Sequence, residues 1–157
     1  SDDVYLALKE MQPAVPGVFV DRDGTLCEDV GYLSSWEHFK VLPGVEDLKK
    51  LKTRGYKIIG VTNQSGIARG MVKESFVQEV NRVFLDQYGF DDFTYCPHHP
   101  EEHCSCRKPE PGMLNNARYK HRIDFRKSYV IGDKEADMIL AKTVGAQGIL
   151  VRTGQDR

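Results

Sequence analysis

Three of the four cysteines and three of the five histidines fall within residues 96–106, CPHHPEEHCSC, and the run continues directly into Arg107 and Lys108. Where thiols stay reduced, a cluster this tight reads as metal ligands before disulfides. Cys96, Cys104 and Cys106, with one of His98, His99 and His103, offer three sulfurs and a nitrogen. Four protein donors with no open position describe a structural zinc site. Such an ion would order a loop that has no secondary structure of its own, and with it the adjoining basic pair. Cys27 stands apart and reads as a packed or free thiol.

Four other stretches carry polar chemistry. In DRDGT (21–25), Asp21 and Asp23 lie two apart behind an apolar run. Two carboxylates this close can share a divalent cation, or divide labour as nucleophile and acid/base. A solvated turn is the plain alternative, since Asp and Gly favour turns. An EF-hand is excluded, because Gly24 follows the second Asp with no third ligand before it. In VTNQSGIARG (61–70), Thr62 and Asn63 put hydroxyl, amide and backbone N–H groups where they suit a phosphate. The Gly-Lys-Ser/Thr ending of a P-loop is missing, and a polar turn is the alternative. In IGDKEAD (131–137), Glu135 and Asp137 suit a helix N-terminus, whereas Asp133 closes an apolar run. In RKP (107–109), Lys108 can neutralise a phosphoryl group and Arg107 can grip a second anion, although an exposed basic pair is ordinary.

Elements that would position these residues follow from periodicity. Short apolar runs at 17–21, 56–62, 92–96, 128–133 and 146–152 read as strands. Helical patterns occupy 43–55, 73–89, 111–122 and 134–145, with Pro43 and Gly55 as start and stop signals and Gly89 as a C-cap. Phe76, Val77, Val80, Val83 and Phe84 share one face of the second helix. Buried strands alternating with helices predict an α/β fold, a doubly wound, mainly parallel sheet covered on both faces. Ligands in such folds bind beyond the carboxyl ends of the strands. Asp21, Thr62, Cys96 and Asp133 all stand there. Residues 1–16 read as an N-terminal tail or linker with one short amphipathic turn, and 17–157 as a single domain.

DRDGT, TNQSGIARG, CPHHP and CSCRKPEPGML, in this order, resemble the haloacid dehalogenase (HAD) superfamily of phosphotransferases. Within it they look like the heptose 1,7-bisphosphate phosphatase branch, over about residues 17–153. That resemblance implies a Rossmann-like HAD core and a Mg²⁺-dependent phosphatase working through an aspartyl phosphate. Asp21 is then the nucleophile, Asp23 the acid/base, and Thr62, Asn63 and Lys108 hold the phosphoryl group. The Asp21 carboxylate, the Asp23 carbonyl and the Asp133 carboxylate would ligate Mg²⁺. The family pattern selects His98 to join Cys96, Cys104 and Cys106 on zinc. Asp29, Gly31, Tyr32, Asn63, Gln64, Ser65, Arg107 and Lys134 are assigned to substrate. Residues 26–42 are too short for the separate cap domain of many HAD proteins, and Trp36 and Phe39 are expected to pack this flap. Family members usually continue past 146–152 with another strand and helix, so the resemblance leaves one sheet edge undefined. The extension at 1–16 is longer than is usual for the family.

The implied substrate is D-glycero-D-manno-heptose 1,7-bisphosphate, losing its 7-phosphate in lipopolysaccharide core precursor synthesis. Histidinol-phosphate phosphatases share the zinc loop and form the nearest alternative, but SGIARG and PGML look like the heptose branch. A zinc-stabilised binding protein that merely keeps the fold is a further alternative. Net charge of −1 over 157 residues offers no general pull toward nucleic acid or anionic membrane, which also weighs against a polynucleotide 3′-phosphatase. No apolar run is long enough to span a bilayer and no signal peptide is visible. The expected protein is a cytoplasmic monomer acting on a small sugar bisphosphate.

Overall fold

In the computed structural model, which describes residues 2–11 and 13–152, five strands form one parallel sheet. The strands are β1 (Gly17–Val20), β2 (Lys57–Asn63), β3 (Asp92–Cys96), β4 (Tyr129–Gly132) and β5 (Gln147–Leu150), and their order is β3-β2-β1-β4-β5. Four α-helices accompany them, α1 (Asp2–Met11), α2 (Glu74–Gln87), α3 (Gly112–His121) and α4 (Glu135–Val144). Every strand boundary lies within two residues of its predicted position.

The alternation of side chains along each strand builds two cores. Val18, Val20 and Ile58 face one way, against Val80, Phe84, Phe90 and Phe93. Phe19, Ile59 and Val61 face the other, against Leu114, Ala117, Ile123, Leu140 and Ala141. Burial on both faces is why β1 and β2 read as continuous apolar runs, whereas β5, at the sheet edge, is exposed along its length rather than covered as expected. Gly60 is required by the packing: a Cβ there would lie 2.3 Å from the Phe93 ring. Phe84 anchors the first core, stacking on Phe93 at 5.4 Å and meeting Tyr88, Phe90 and Phe39.

Strand order reverses at β1, which is followed by β2 on one side and flanked by β4 on the other. The crevice at such a switch point opens at the carboxyl ends of the strands. Asp21 follows β1 and stays in register through Asp21 N donating to Ile131 O at 2.9 Å. Asn63 ends β2, Cys96 ends β3, and Asp133 follows β4.

Two expectations change. The helix predicted at 43–55 is a 3₁₀ helix, Val45–Arg54, between Gly44 and Gly55, both at positive φ. Val45, Leu48 and Leu51 recur every third residue, which suits three residues per turn. The short turn predicted in residues 1–16 is a ten-residue helix instead. Arg122 ties it down by donating to the Glu10 carboxylate and carbonyl at 3.1 and 3.0 Å. Behind it, Val15 and Pro16 are stitched to the domain: Val15 N bonds Arg122 O, Asp124 N bonds Val15 O, and Lys57 N bonds Pro16 O.

Among the described residues, no separate cap covers the sheet. Residues 26–42 fold back as a flap, with Leu26, Cys27, Leu33 and Leu42 buried in the first core. Trp36 packs edge-on to Phe39 and Phe76, as expected for a residue that seats the flap. Among the described residues, no helix is long and apolar enough to cross a membrane.

Candidate active site

Lys108 is the hub of the crevice. Its Nζ donates to Asp21 Oδ1 at 2.8 Å, Asp137 Oδ1 at 2.8 Å and Val61 O at 2.9 Å. All three charged residues are buried. The Lys108 backbone is held by Asn63, whose Oδ1 accepts from Lys108 N at 2.9 Å and whose Nδ2 donates to Lys108 O at 3.2 Å. Asn63, expected on the phosphoryl group, thus has its amide engaged by the lysine that would neutralise that group. Asp137, read from sequence as a helix-start acid, also accepts from Lys134 N. It therefore has two tasks, one on the backbone of α4 and one on the lysine.

Asp133 sits fully buried beneath the DRDGT turn. Gly24, at φ +91°, passes so close that a Cβ would lie 2.2 Å from Asp133 Oδ2. Only glycine combines that backbone conformation with that approach. Carboxylate oxygens of Asp21, Asp133 and Asp137 all lie within 4.8 Å of one another. Burial, with Asp137 adding to it against the opposing pull of Lys108, pushes the Asp21 carboxyl up to about 8. Lys108 is raised despite burial, because Asp21 and Asp137 hold its charge. Three buried acids facing one buried lysine leave negative charge in excess. Hard oxygen donors with such an excess suit a divalent cation such as Mg²⁺. Asp137 uses both oxygens, Oδ1 on Lys108 and Oδ2 on Lys134 N, whereas Asp21 uses only Oδ1 on Lys108, so Asp21 and Asp133 have carboxylate oxygens that could serve as its ligands.

A second network surrounds Asp23. Gln64 Nε2 donates to Asp23 Oδ2 and to Thr62 Oγ1, both at 2.8 Å. Since the Thr62 oxygen accepts from Gln64, its own O–H is left to donate elsewhere. Arg22 lies on the inner side of Asp23, donating from Nε and Nη2 at 3.2–3.3 Å. Neither Arg22 nor Asp137 was singled out from sequence for these tasks. The available signals were an arginine between two motif acids and an acid one helical turn beyond Asp133.

On the open side, Lys134 Nζ stands 3.6 Å from both Asp29 Oδ2 and Asp133 Oδ2, bridging flap and sheet. Asp29 Oδ1 accepts from Gly31 N at 3.0 Å and shapes the flap turn. Tyr32 lies against Gly66, where a Cβ would approach its ring to 2.9 Å, and under the Arg69 guanidinium. Ser65 accepts from Arg69 at 3.2 Å. All of Asp21, Asp23, Asp29, Gly31, Tyr32, Thr62, Asn63, Gln64, Ser65, Arg107, Lys108 and Lys134 line one cavity of about 180 Å³, with Ala136 and Asp137. A larger hollow of about 770 Å³ lies between α1 and α3 and has none of these residues on its walls.

Beside this cavity, Cys96, His98, Cys104 and Cys106 converge. His98 Nδ1 is 3.4 Å from Cys96 Sγ and 3.2 Å from Cys106 Sγ. Cys104 Sγ is 3.5 Å from Cys96 Sγ and 3.7 Å from Cys106 Sγ. Tetrahedral Zn–S bonds of 2.3 Å separate sulfurs by about 3.8 Å, so these spacings suit a Cys₃His zinc site. The Cys96–Cys106 pair, at 2.7 Å, would open around an ion. Against the effect of burial, the Arg107 backbone N–H and neighbouring thiols bring the Cys104 thiol down to about 6. The two other histidines are placed elsewhere. His99 Nδ1 accepts from Glu101 N, and exposed His103 turns the chain at φ 51°.

A family model for HAD-hydrolase-like proteins matches residues 105–157. D-glycero-β-D-manno-heptose-1,7-bisphosphate 7-phosphatase of Yersinia pestis is 42% identical over 160 residues, spanning 92% of this chain and 85% of that protein. The chain belongs to this family of HAD-like phosphatases. The Vibrio cholerae member is 44% identical over 156 residues, spanning 90% of this chain and 84% of its own. Among solved structures, D,D-heptose 1,7-bisphosphate phosphatase from B. bronchiseptica, complexed with magnesium and phosphate, superposes with a TM-score of 0.79. It is 31% identical, with 88% of this chain and 82% of that one covered.

Proposed function

We propose that this chain is a phosphomonoester hydrolase that removes the 7-phosphate of D-glycero-D-manno-heptose 1,7-bisphosphate and leaves the 1-phosphate. The observation that carries the reading is buried Asp21 at the end of β1, 2.8 Å from Lys108 Nζ and in one cavity with Asp23 and Thr62. The named relatives, at 42% and 44% identity, supply the substrate.

The residues divide the reaction as follows. An Asp21 carboxylate oxygen attacks phosphorus in line, and the bond from phosphorus to the sugar oxygen breaks. Asp23 gives its proton to that leaving oxygen. In the second half, water attacks the phosphorus of the aspartyl phosphate. Asp23 takes a proton from that water, the Asp21–phosphorus bond breaks, and inorganic phosphate leaves. Lys108 offsets charge on the transferring group, and the free Thr62 O–H donates to one of its oxygens. A Mg²⁺ ion held by the Asp21 and Asp133 carboxylates and the Asp23 carbonyl would screen the repulsion between carboxylate and phosphate dianion. Zinc on Cys96, His98, Cys104 and Cys106 would be structural, ordering the loop that ends at Arg107 and Lys108.

A second phosphate suits the rim. Arg107 lines the cavity, and its Nη1 is buried with no hydrogen-bond partner among the described residues. Lys134 lines the same cavity but stands 3.6 Å from Asp29 Oδ2. Histidinol phosphate would instead present an amine and an imidazole to Arg107. We place the enzyme in the cytoplasm, as a monomer making heptose precursors for lipopolysaccharide.

Side-by-side kinetics on the heptose bisphosphate, starting with the β anomer for which the relatives are named, and on histidinol phosphate test the assignment. The bisphosphate should show the higher kcat/KM, and Arg107→Ala should lose much of that advantage. A higher kcat/KM for histidinol phosphate would overturn the substrate.

A further inference from the structure

A fully buried arginine is rare unless its charge and donors are matched, and the Arg22 side chain is only 1% exposed. Its donors go to two places. Nε and Nη2 reach Asp23 Oδ1 at 3.3 and 3.2 Å, Nη2 also reaches Asp23 Oδ2 at 3.2 Å, and Nη1 reaches Asn81 Oδ1 at 3.3 Å. Asn81 lies on the buried face of α2, a helix that contributes no side chain to the cavity wall. Arg22 therefore ties the Asp23 carboxylate to a rigid element behind the site.

The same residue organises the turn that carries Asp23. Its carbonyl accepts from Thr25, Leu26 and Cys27 N at 3.3, 2.8 and 3.1 Å. Gln64 Nε2 holds the carboxylate from the other side, and the Gln64 backbone is tied to β3 by its N donating to Cys96 O at 2.8 Å. Asp23 is thus held from α2 and from the end of β2. It keeps 19% of its side chain exposed and lines the cavity.

We propose that Arg22, together with Gln64, is a positioning residue that aims the Asp23 carboxyl at the oxygen leaving the substrate. The inference rests on the acid/base role assigned to Asp23 above. A guanidinium fork held in a buried site fixes both the direction and the plane of a carboxylate, which a single donor cannot do. Losing that aim removes proton donation to the leaving oxygen while leaving Asp21, Lys108 and Thr62 in place.

The dependence of rate on leaving group tests this. An alkoxide needs a proton as it departs, whereas p-nitrophenolate is a stable anion and needs none. We would measure kcat/KM for an alkyl phosphate, phenyl phosphate and p-nitrophenyl phosphate with wild type, Asp23→Asn, Arg22→Met, Arg22→Lys and Gln64→Leu, and record thermal unfolding of each. General-acid catalysis is worth about 10²–10⁴-fold, so Arg22→Met should lose about 100-fold on the alkyl ester but under about 3-fold on p-nitrophenyl phosphate. Arg22→Lys should recover part of the alkyl rate. Gln64→Leu also frees Thr62 Oγ1, so it should lose rate on every ester. If Arg22→Met does not fold, Arg22→Lys decides by the same comparison. A selective loss in Asp23→Asn with an even loss, or none, in the folded Arg22 variants overturns the role of Arg22. An even loss in Asp23→Asn itself overturns the acid role of Asp23, and this inference with it.

Discussion

The Asn63 side chain holds both polar groups of the Lys108 backbone, its Oδ1 accepting from Lys108 N at 2.9 Å and its Nδ2 donating to Lys108 O at 3.2 Å. The two residues are 45 positions apart in sequence. This pairing fixes the origin of a lysine side chain that runs inward to Asp21, Asp137 and Val61 O.

The pairing gives a first prediction. Asn63→Ala frees the Lys108 backbone without removing its charge. Misplacing a catalytic group by about 1 Å can cost about 100-fold, so kcat should fall by about 10- to 100-fold. Lys108→Met, which removes the cation, should fall further, by about 100- to 1,000-fold as when an oxyanion donor is lost. Steady-state kinetics on both variants, with circular dichroism to establish folding, make the comparison. Wild-type kcat in Asn63→Ala would show that Lys108 keeps its place without the clamp.

Gly24→Ala carries a second prediction. The added Cβ meets Asp133 Oδ2 at 2.2 Å, and the backbone is at φ +91°. Asp133 must shift, and with it one proposed carboxylate ligand of the cation. Disturbing the support of a metal ligand costs about 10- to 100-fold in affinity, so the Mg²⁺ concentration for half-maximal activity should rise by about that factor. Titrating activity against Mg²⁺ reads it directly. An unchanged midpoint in a folded variant would mean that the Gly24 contact does not place Asp133.

Which of these relationships a sequence can disclose depends on their range. The strands were legible because GVFV, KIIGV and YVIG are buried on both faces and interrupted by helical periodicity. Asp21, Thr62, Cys96 and Asp133 followed, since strand ends in a parallel sheet share one edge. Roles decided by distant partners were not legible. Arg22 meets Asn81 across 59 positions, and Lys108 meets Asp137 across 29. Nothing local in an arginine or an aspartate announces such a partner. Likewise, His98, His99 and His103 are equivalent as residue types, and the path of the chain alone turns His98 inward. The sequence does not distinguish the 3₁₀ helix at Val45–Arg54 from an α-helix, because apolar residues three apart satisfy either geometry.

A third prediction concerns Asp137. Asp137→Ala removes one of two carboxylates from a buried lysine and also frees Lys134 N. Breaking a buried ion pair on one side costs about 3–5 kcal/mol, and this variant should lose about that much in urea unfolding. Asp137→Asn keeps an acceptor of the same shape and should lose less. Both should lower kcat, because Lys108 then has only Asp21 to balance it among the side chains it now meets. A loss below about 1 kcal/mol, the range of an exposed ion pair, would show that the contact contributes little to the fold.

The fourth prediction separates the two proposed metals. Cys96 ends β3 beside Asn63, and its carbonyl accepts from Gln64 N at 2.8 Å. Cys106 is followed directly by Arg107 and Lys108. A zinc ion on Cys96, His98, Cys104 and Cys106 would thus hold both sides of the phosphoryl site without touching substrate. Elemental analysis of purified protein should find about one zinc per chain, as one four-donor site implies. Mild chelation should stop turnover by removing Mg²⁺, and adding Mg²⁺ should restore it with zinc still bound. Stripping zinc should lower the Tm and abolish turnover in a way that Mg²⁺ cannot rescue and zinc can. Cys106→Ala should reproduce the zinc-free protein, since three donors leave the ion open to loss. Protein free of zinc that keeps its Tm and full Mg²⁺-dependent activity would sink the structural assignment. Recovery of the stripped protein with Mg²⁺ alone would do the same, because the loop would then be ordered by its own packing.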